Sequence, residues 1–565
     1  MKNRQIADMF ERIADVLEFQ GEMPFKINAY RRAARALVDM PTDIETLWKE
    51  GRLRNVPGVG EALAKKMDEF LRTGRMSKFE EATGSVPSGL IDLLGIQSLG
   101  PKTLALAHKK LGIQNITDLK RVVEDGSLTA LPGMGPKKVE NIRKGMELRE
   151  KSAGCVPLGR ALNLVEEIVH RLKKHPGVGR MDPAGSLRRM RETVGDIDIL
   201  AETKSGESLI RTFVSLPMVT RVLAAGSTKG SVLVEGGIQV DLRAVDSDSY
   251  GAALQYFTGS KEHNVRIREL AKKRGLKVNE YGLFDRNEKR LGGRTEEWLY
   301  ERLGMPWIPP ELREDNGEIE NALENKLPDL VALRDVLGDL HVHTEWSDGR
   351  ASIGIMAQKA KALGYRYLAV CDHSQSAGYA NGLTPERLEE QVREIGRINR
   401  GGKGFRVLAG TEVDIRTDGT LDFPDTLLSK LDIVVAAVHS GFKKRVTERL
   451  ISAANHPLVD VLAHPTGRLI SKREGYEVNI EAVMKACAET GTAMEINAWF
   501  ERLDLSDVHA RRAGDMGVKL AIGTDAHEPG HMDAMRLGIG VARRAWLEKG
   551  DVLNCRSWEK RKPKH

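Results

Sequence analysis

The chain of 565 residues carries 87 basic and 80 acidic side chains, a formal net charge of +7 and 41% hydrophobic residues. At roughly 100 to 200 residues per domain it divides into several domains, which excludes a single small binding module. No run approaches about 18 apolar residues, and the opening MKNRQIADMFERIADVLEFQ is charged and amphipathic, so neither a membrane span nor a signal peptide is expected and the reading is cytoplasmic. Cys155, Cys371, Cys487 and Cys555 lie far apart without CxxC spacing, so any metal must use histidine and carboxylate. The charge is uneven: residues 1–300 sum to +10 and residues 301–565 to −3. A basic half suits a polyanion such as nucleic acid, though a solvated surface would carry the same charge. Between the halves, residues 301–340 carry −6 and contain PWIPPELREDNGEIENALENK, where paired prolines followed by acids predict an extended linker, assigned to 316–336.

Residues 1–150 read as helices throughout, with apolar residues three and four apart in IADMFERIADVLEF and YRRAARALVDM. VPGVGEALAKKM, IQSLGPKTLALAHKKL and LPGMGPKKVENI repeat one pattern, with glycines at Gly58, Gly60, Gly100, Gly133 and Gly135. Each resembles a helix-hairpin-helix. The glycines permit a tight turn into a helix whose free N-terminal amides hold a backbone phosphate, without reading sequence. One such turn would be an ordinary helix start; three, each with lysine in the following helix, favour DNA-backbone binding. Ser98 stands where the other repeats have Gly58 and Gly133, which weakens the middle one.

The stretch GSLRRMRETVGDIDIL (185–200) predicts a turn, a helical piece and a strand carrying Asp196 and Asp198 on one face. A later strand, SVLVEGGIQVDLRAV, supplies Asp241. Three converging carboxylates are what two magnesium ions need for in-line phosphoryl transfer. A DxD on an amphipathic edge strand is common, but here GS, RR and DID stand in order, and YFTGSKEHNVRIREL (256–270) follows. Together these resemble the nucleotidyltransferase superfamily and specifically family X DNA polymerases, over residues 1 to about 315 and including PFKINAYRRAA. The resemblance implies that Ser186 and Arg189 hold the triphosphate, with Gly185 also in the nucleotide-binding set. It also implies that Tyr256 and Phe257 lie at the sugar, that Asn264 and Arg268 lie near the nascent base pair, and that Gly259 belongs to the nucleotide-binding set. It further implies a lyase nucleophile at Lys66, for which a phosphate-contacting lysine is an equal alternative, and 5'-phosphate contacts from Lys26 and Tyr30, although Phe25 and Ala62 depart from the family pattern there; Lys261 departs from the acidic vertebrate pattern and bears on base-pair selectivity.

From residue 339 short apolar strands alternate with helices: DLHVHT, YLAVCDHS, FRVLAGTEVDI, IVVAAVHS, VLAHPTG, AMEINA and LAIGTDAH. This predicts a parallel barrel of seven strands with polar residues at its C-terminal face. His341, His343, Asp348, His373, Glu412, His439, His464, Asp525 and His527 stand at those strand ends. The set resembles the PHP (polymerase and histidinol phosphatase) family, with all nine ligand positions filled. Histidine with carboxylate suits zinc, manganese or iron, two or three ions in number, for phosphoester hydrolysis. Glu495 and Asn497 belong to the rim or cap a strand, with capping ranked slightly higher.

The combined resemblance is to prokaryotic family X DNA polymerases with a C-terminal PHP domain. It implies a helical DNA-end-binding domain (1–80), a fingers-like helical region (81–150), an α+β palm (151–245), a thumb-like subdomain (246–315), the acidic linker and a PHP domain (337–565). The implied activities are gap-filling repair synthesis and a 3'-5' exonuclease, with abasic-site cutting or 3'-phosphate removal as extensions. Mg2+ or Mn2+ would serve the polymerase site, and Mn2+, Zn2+ or Fe the barrel. Expected partners are gapped or nicked duplex DNA and deoxynucleoside triphosphates, on a monomer. Two rival readings are a 3'-end nuclease with weak polymerase activity and a DNA-binding scaffold with a structural metal centre.

Overall fold

The computed structural model describes residues 2–39, 44–56, 58–94, 96, 99–152, 155–401 and 404–558. The chain forms two compact units, Met1–Ala153 and Gly154–His565. Among the described residues no helix is long and apolar enough to cross a membrane.

The first unit is helical. Ile6, Phe10, Ile13 and Leu17 recur on one face of the helix Lys2–Phe19 and are buried with Ile27, Ala34 and Leu37 of the helix Pro24–Asp39, as helical periodicity requires. The three repeats build the same turn. Val59 donates to the Val56 carbonyl, Leu99 to Ile96 and Met134 to Leu131, each at 3.0 Å, and the helices Glu61–Thr73, Pro101–Leu111 and Pro136–Ser152 then begin. Gly58 and Gly133 hold φ of +77° and +76°, the left-handed region where glycine has no steric penalty. Ser98 lies outside the described residues.

The second unit begins with a five-stranded sheet. The strand Asp196–Thr203 pairs antiparallel with Val178–Pro183 and parallel with Gln239–Val245, beyond which lie Lys229–Val234 and Val219–Ala225. SVLVEGGIQVDLRAV, read above as one strand, is therefore a hairpin. Gly236 and Gly237, at φ +83° and +74°, turn the chain between two antiparallel strands. The helices Tyr250–Thr258 and Lys261–Lys273, a three-stranded antiparallel sheet and the helix Glu296–Arg302 follow.

The acidic segment 316–336 is packed, contrary to the extended linker expected. It forms the helix Glu318–Leu323, buries Ile319, Ala322, Leu330 and Val331, and sinks the Glu318 carboxylate onto His263 Nδ1 at 2.6 Å. Acidic residues alone suggest an extended segment, whereas here one acid is an internal hydrogen-bond acceptor.

Seven parallel strands, in chain order, form the C-terminal sheet: Gly338–Val342, Tyr367–Val370, Arg406–Asp414, Ile433–Ala437, Val461–Leu462, Ala493–Asn497 and Leu520–Gly523. A parallel bridge from Val342 to Ala526 links the first strand to the end of the last, so the sheet is a nearly closed barrel. One apolar cluster runs from the five-stranded sheet into this barrel; a Cβ on Gly159, for example, would stand 2.7 Å from Phe500 Cβ.

Candidate functional site

Asp196 and Asp198 alternate onto one face of their strand, and Asp198 stands opposite Asp241 in parallel register. Gly185, at φ +62°, turns directly above them. Burial, then the negative charges of Asp196 and Asp241, push the Asp198 carboxyl up to about 6. At Asp241 burial acts in the same sense but is outweighed by hydrogen bonds, chiefly from Lys229 Nζ at 2.8 Å and including Gln239 Nε2 at 3.0 Å, so its carboxyl is lowered. A buried carboxyl raised by two neighbouring carboxylates marks a place short of positive charge, and an all-oxygen donor set fits magnesium or manganese.

Ser186 is half-buried in the turn. Arg189 donates from Nε to Glu314 Oε1 at 3.1 Å and from Nη1 to the Thr258 carbonyl at 2.5 Å, beside Gly259. Tyr256 and Phe257 meet edge to face at 5.1 Å, and Arg243 lies 4.2 Å over the Phe257 ring. Asn264 accepts from Gln255 Nε2 at 2.8 Å and donates to the Tyr256 carbonyl at 2.7 Å; Arg268 Nε donates to the Asn264 carbonyl at 3.2 Å. The sequence reading missed Glu296, buried between Arg188 and Arg313. Its carboxylate receives Arg188 Nη2 at 2.7 Å and Arg313 Nη1 at 2.6 Å. Burial opposes ionisation there, but the two guanidinium groups hold the carboxyl well below its usual range.

In the first unit Gly60 and Gly100 are N-caps without a side-chain cap, and Gly135 closes its turn by accepting from Lys138 and Val139. Glycine at the N-cap thus supplies no side-chain acceptor to the first amides of these two helices. Lys66 lines a shallow pocket with Glu61, Lys65 and Glu69; its Nζ donates to the Ala62 carbonyl at 2.9 Å, and burial, then the charge of Lys78, lowers its amine. Lys26 is exposed and pairs with Glu22 at 3.1 Å. Tyr30 instead packs into the core, 8% exposed, with its ring edge-on to Phe10 at 5.4 Å.

The barrel brings its nine expected residues together. Ligating atoms of His343, Asp348, His373 and His527 lie within 4.8 Å of one another, as do those of His341, His343 and Glu412, and of His373, Glu412 and His439. Glu412 is central, 2.8 Å from His373 Nδ1, 3.2 Å from His439 Nε2 and 2.9 Å from His464 Nε2. Asp525 Oδ1 lies 3.2 Å from His343 Nε2, and Asp348 Oδ1 3.4 Å from His527 Nε2. The Nε2 atoms of His341 and His343 face each other at 3.2 Å, and Nδ1 of His464 is buried without a hydrogen-bond partner. Facing imidazoles around buried carboxylates fit divalent cations held by nitrogen and oxygen.

Glu495 both caps and supports. It accepts from the His464 amide at 2.8 Å and contacts His341 Nδ1 at 2.7 Å. Burial opposes the charge on His341, but Glu495 and Glu412 hold it well above its ordinary value. Asn497 donates to Asp525 Oδ2 at 3.1 Å. Asp414, which contacts His439 Nδ1 at 3.1 Å, was missed although it lies two residues beyond Glu412 on the same strand. Arg502, with Nε 3.5 Å from Asp525 Oδ2, and Tyr379, 74% exposed with its ring 6.3 Å from His373, come from loops without a sequence signal.

Four family models match: helix-hairpin-helix domain over 1–76, SAM-like helix-hairpin-helix tandem over 90–150, DNA polymerase beta thumb over 253–314 and PHP domain over 339–498. The chain is 38% identical to DNA polymerase/3'-5' exonuclease PolX of Bacillus subtilis over 99% of its length and 98% of the relative's. It is 25% identical to DNA polymerase lambda of Arabidopsis thaliana over 55% of this chain and 62% of that one. A probable phosphatase of Thermoanaerobacter sp. is 30% identical over 38% of this chain and 89% of its own. Fold and sites thus define a two-centre enzyme of phosphoryl chemistry, a polymerase beta-like unit joined to a PHP barrel. The chain belongs to the PolX family of DNA polymerase/3'-5' exonucleases.

Proposed function

We propose that this protein fills short gaps in DNA by template-directed nucleotide addition and trims 3' ends with its barrel. The observation that supports the reading is that Asp196, Asp198 and Asp241 lie beneath Gly185, and six histidines and three carboxylates gather at the barrel's strand ends, in one chain 38% identical to PolX over 99% of its length. Arg189, with Ser186, binds the triphosphate; Tyr256 and Phe257 flank the sugar, and Asn264 and Arg268 the new base pair. Asp241 orients the primer 3'-hydroxyl and accepts its proton. The uncapped helix N-termini, with Lys26, grip the DNA backbone.

In the barrel, divalent ions would supply Lewis acidity and an activated water for attack on phosphorus, with manganese the favoured metal. His341, His343, Asp348, His373, Glu412, His439, His464, Asp525 and His527 would hold them, and Arg502 offers a cation to the phosphodiester. The likeness to a probable phosphatase favours 3'-phosphate removal as a second activity of the same centre. Lys66, its amine lowered by burial, is the candidate for Schiff-base chemistry at an abasic end. The test is a gapped duplex incubated with and without nucleotides, in magnesium and then in manganese. Extension with nucleotides and 3' shortening without them are expected. Absence of extension in both metals would leave the nuclease as the main activity and overturn the reading.

A further inference from the structure

The residues just after the triphosphate turn are gripped by the barrel. Arg544 ends the helix Met535–Arg544, far along the chain from the polymerase carboxylates. Its Nη1 donates to the Arg189 carbonyl at 2.8 Å and to Glu314 Oε1 at 2.9 Å, and its Nη2 lies 2.7 Å from Asp507 Oδ2. Glu314 Oε1 is the same oxygen that receives Arg189 Nε at 3.1 Å. The Arg544, Arg189 and Glu314 side chains are only 6%, 14% and 16% exposed. In the same helix, a Cβ on Gly540 would stand 2.4 Å from Met190 Cε, so the helix backbone lies against the residue that follows Arg189.

The four groups Arg189, Glu314, Arg544 and Asp507 sum to zero formal charge. Arg191 Nη1, half exposed, reaches the same Glu314 oxygen at 3.9 Å, so removing Arg544 takes one positive charge from a poorly solvated place beside the proposed seat of a polyanion. Low solvation magnifies that loss. Arg189 spends Nε and Nη1 on protein acceptors, while its Nη2 makes no hydrogen bond among the described residues and remains for a ligand.

We propose that Arg544, contributed by the barrel, is a positioning residue for nucleotide addition. It neutralises Glu314 and fixes the Arg189 backbone, so that Arg189 keeps its orientation and its positive charge is not offset by Glu314 when the triphosphate binds. The inference rests on the reading of Arg189 as the triphosphate ligand, and the experiment separates the two.

The KM for a deoxynucleoside triphosphate and kcat are measured on a gapped duplex with the full-length protein and with Arg544→Met, Glu314→Gln and Arg189→Ala. Arg544→Met should raise KM roughly tenfold, the size expected for losing one charge-assisted partner, with kcat nearly unchanged. Glu314→Gln keeps an acceptor but removes the negative charge, so it should lower KM. A purely structural role would move both variants in the same direction. Manganese-dependent hydrolysis by the same preparations reports the fold of the barrel; should Arg544→Met fail that control, the sign of the Glu314→Gln shift decides. A KM that rises or stays unchanged in Glu314→Gln overturns the proposal, as does an unchanged KM in Arg544→Met, while a raised KM in Arg189→Ala leaves the underlying reading intact. An unchanged KM in Arg189→Ala overturns that reading and the proposal with it.

Discussion

Gly185 lies so close to Asp198 that a Cβ at position 185 would stand 2.7 Å from Asp198 Oδ2. The backbone there, at φ +62°, is also one that side chains rarely adopt. The proposed nucleotide turn and the proposed metal-binding carboxylate are therefore set against each other by the lack of a single methyl group. Gly185→Ala should cut nucleotide addition on the order of 10²-fold, the effect of displacing a reacting group by about 1 Å, while leaving barrel hydrolysis at the wild-type rate. Steady-state assays of both activities on one preparation check this.

Glu296 gives a stability prediction. Replacing it with Ala strands the fully buried Arg313 and should cost about 3–5 kcal/mol in thermal or denaturant unfolding. Its folded carboxyl lies well below the ordinary value of 4.5. Its stabilising contribution is therefore complete above that value and is lost as pH falls toward the folded pKa. The gap in melting temperature between wild type and Glu296→Ala should be constant near neutrality and narrow below about pH 4.5.

The Glu495 carboxylate fixes the ring of His341 from outside the metal centre. Glu495→Gln should weaken metal retention about 10- to 100-fold, measured as metal content after dialysis against graded chelator. Hydrolysis should return at high manganese, because the nine proposed ligands are intact.

For Lys66, borohydride in the presence of a 5'-deoxyribose-phosphate end should trap a covalent adduct with the wild type and not with Lys66→Ala. An adduct of equal yield from both would move the nucleophile elsewhere.

Much of this was legible in the sequence because strand alternation and motif order are local properties. The shared face of Asp196 and Asp198 follows from a two-residue period, and the gathering of the barrel's histidines and carboxylates from strand ends in order. The hairpin at Gly236–Gly237 was lost because an apolar run on both sides of two glycines reads as one strand. The segment 316–336 was misread because acidity signals solvent unless a buried partner such as His263 is known. The packing of the Tyr30 ring on Phe10 is a tertiary contact that its motif does not carry. Glu314 with Arg544, 230 residues apart, and loop residues such as Tyr379 and Arg502 depend on tertiary placement, which periodicity does not carry.

The central claim, two separable active centres in one chain, is tested most directly by assaying extension and 3' hydrolysis on the same gapped duplex with two variants. Asp196→Ala/Asp241→Ala should abolish extension and retain manganese-dependent hydrolysis. His341→Ala/His343→Ala should abolish hydrolysis and retain extension. A folded variant of either kind that loses both activities together, or a histidine variant that still degrades DNA in manganese, would contradict the account.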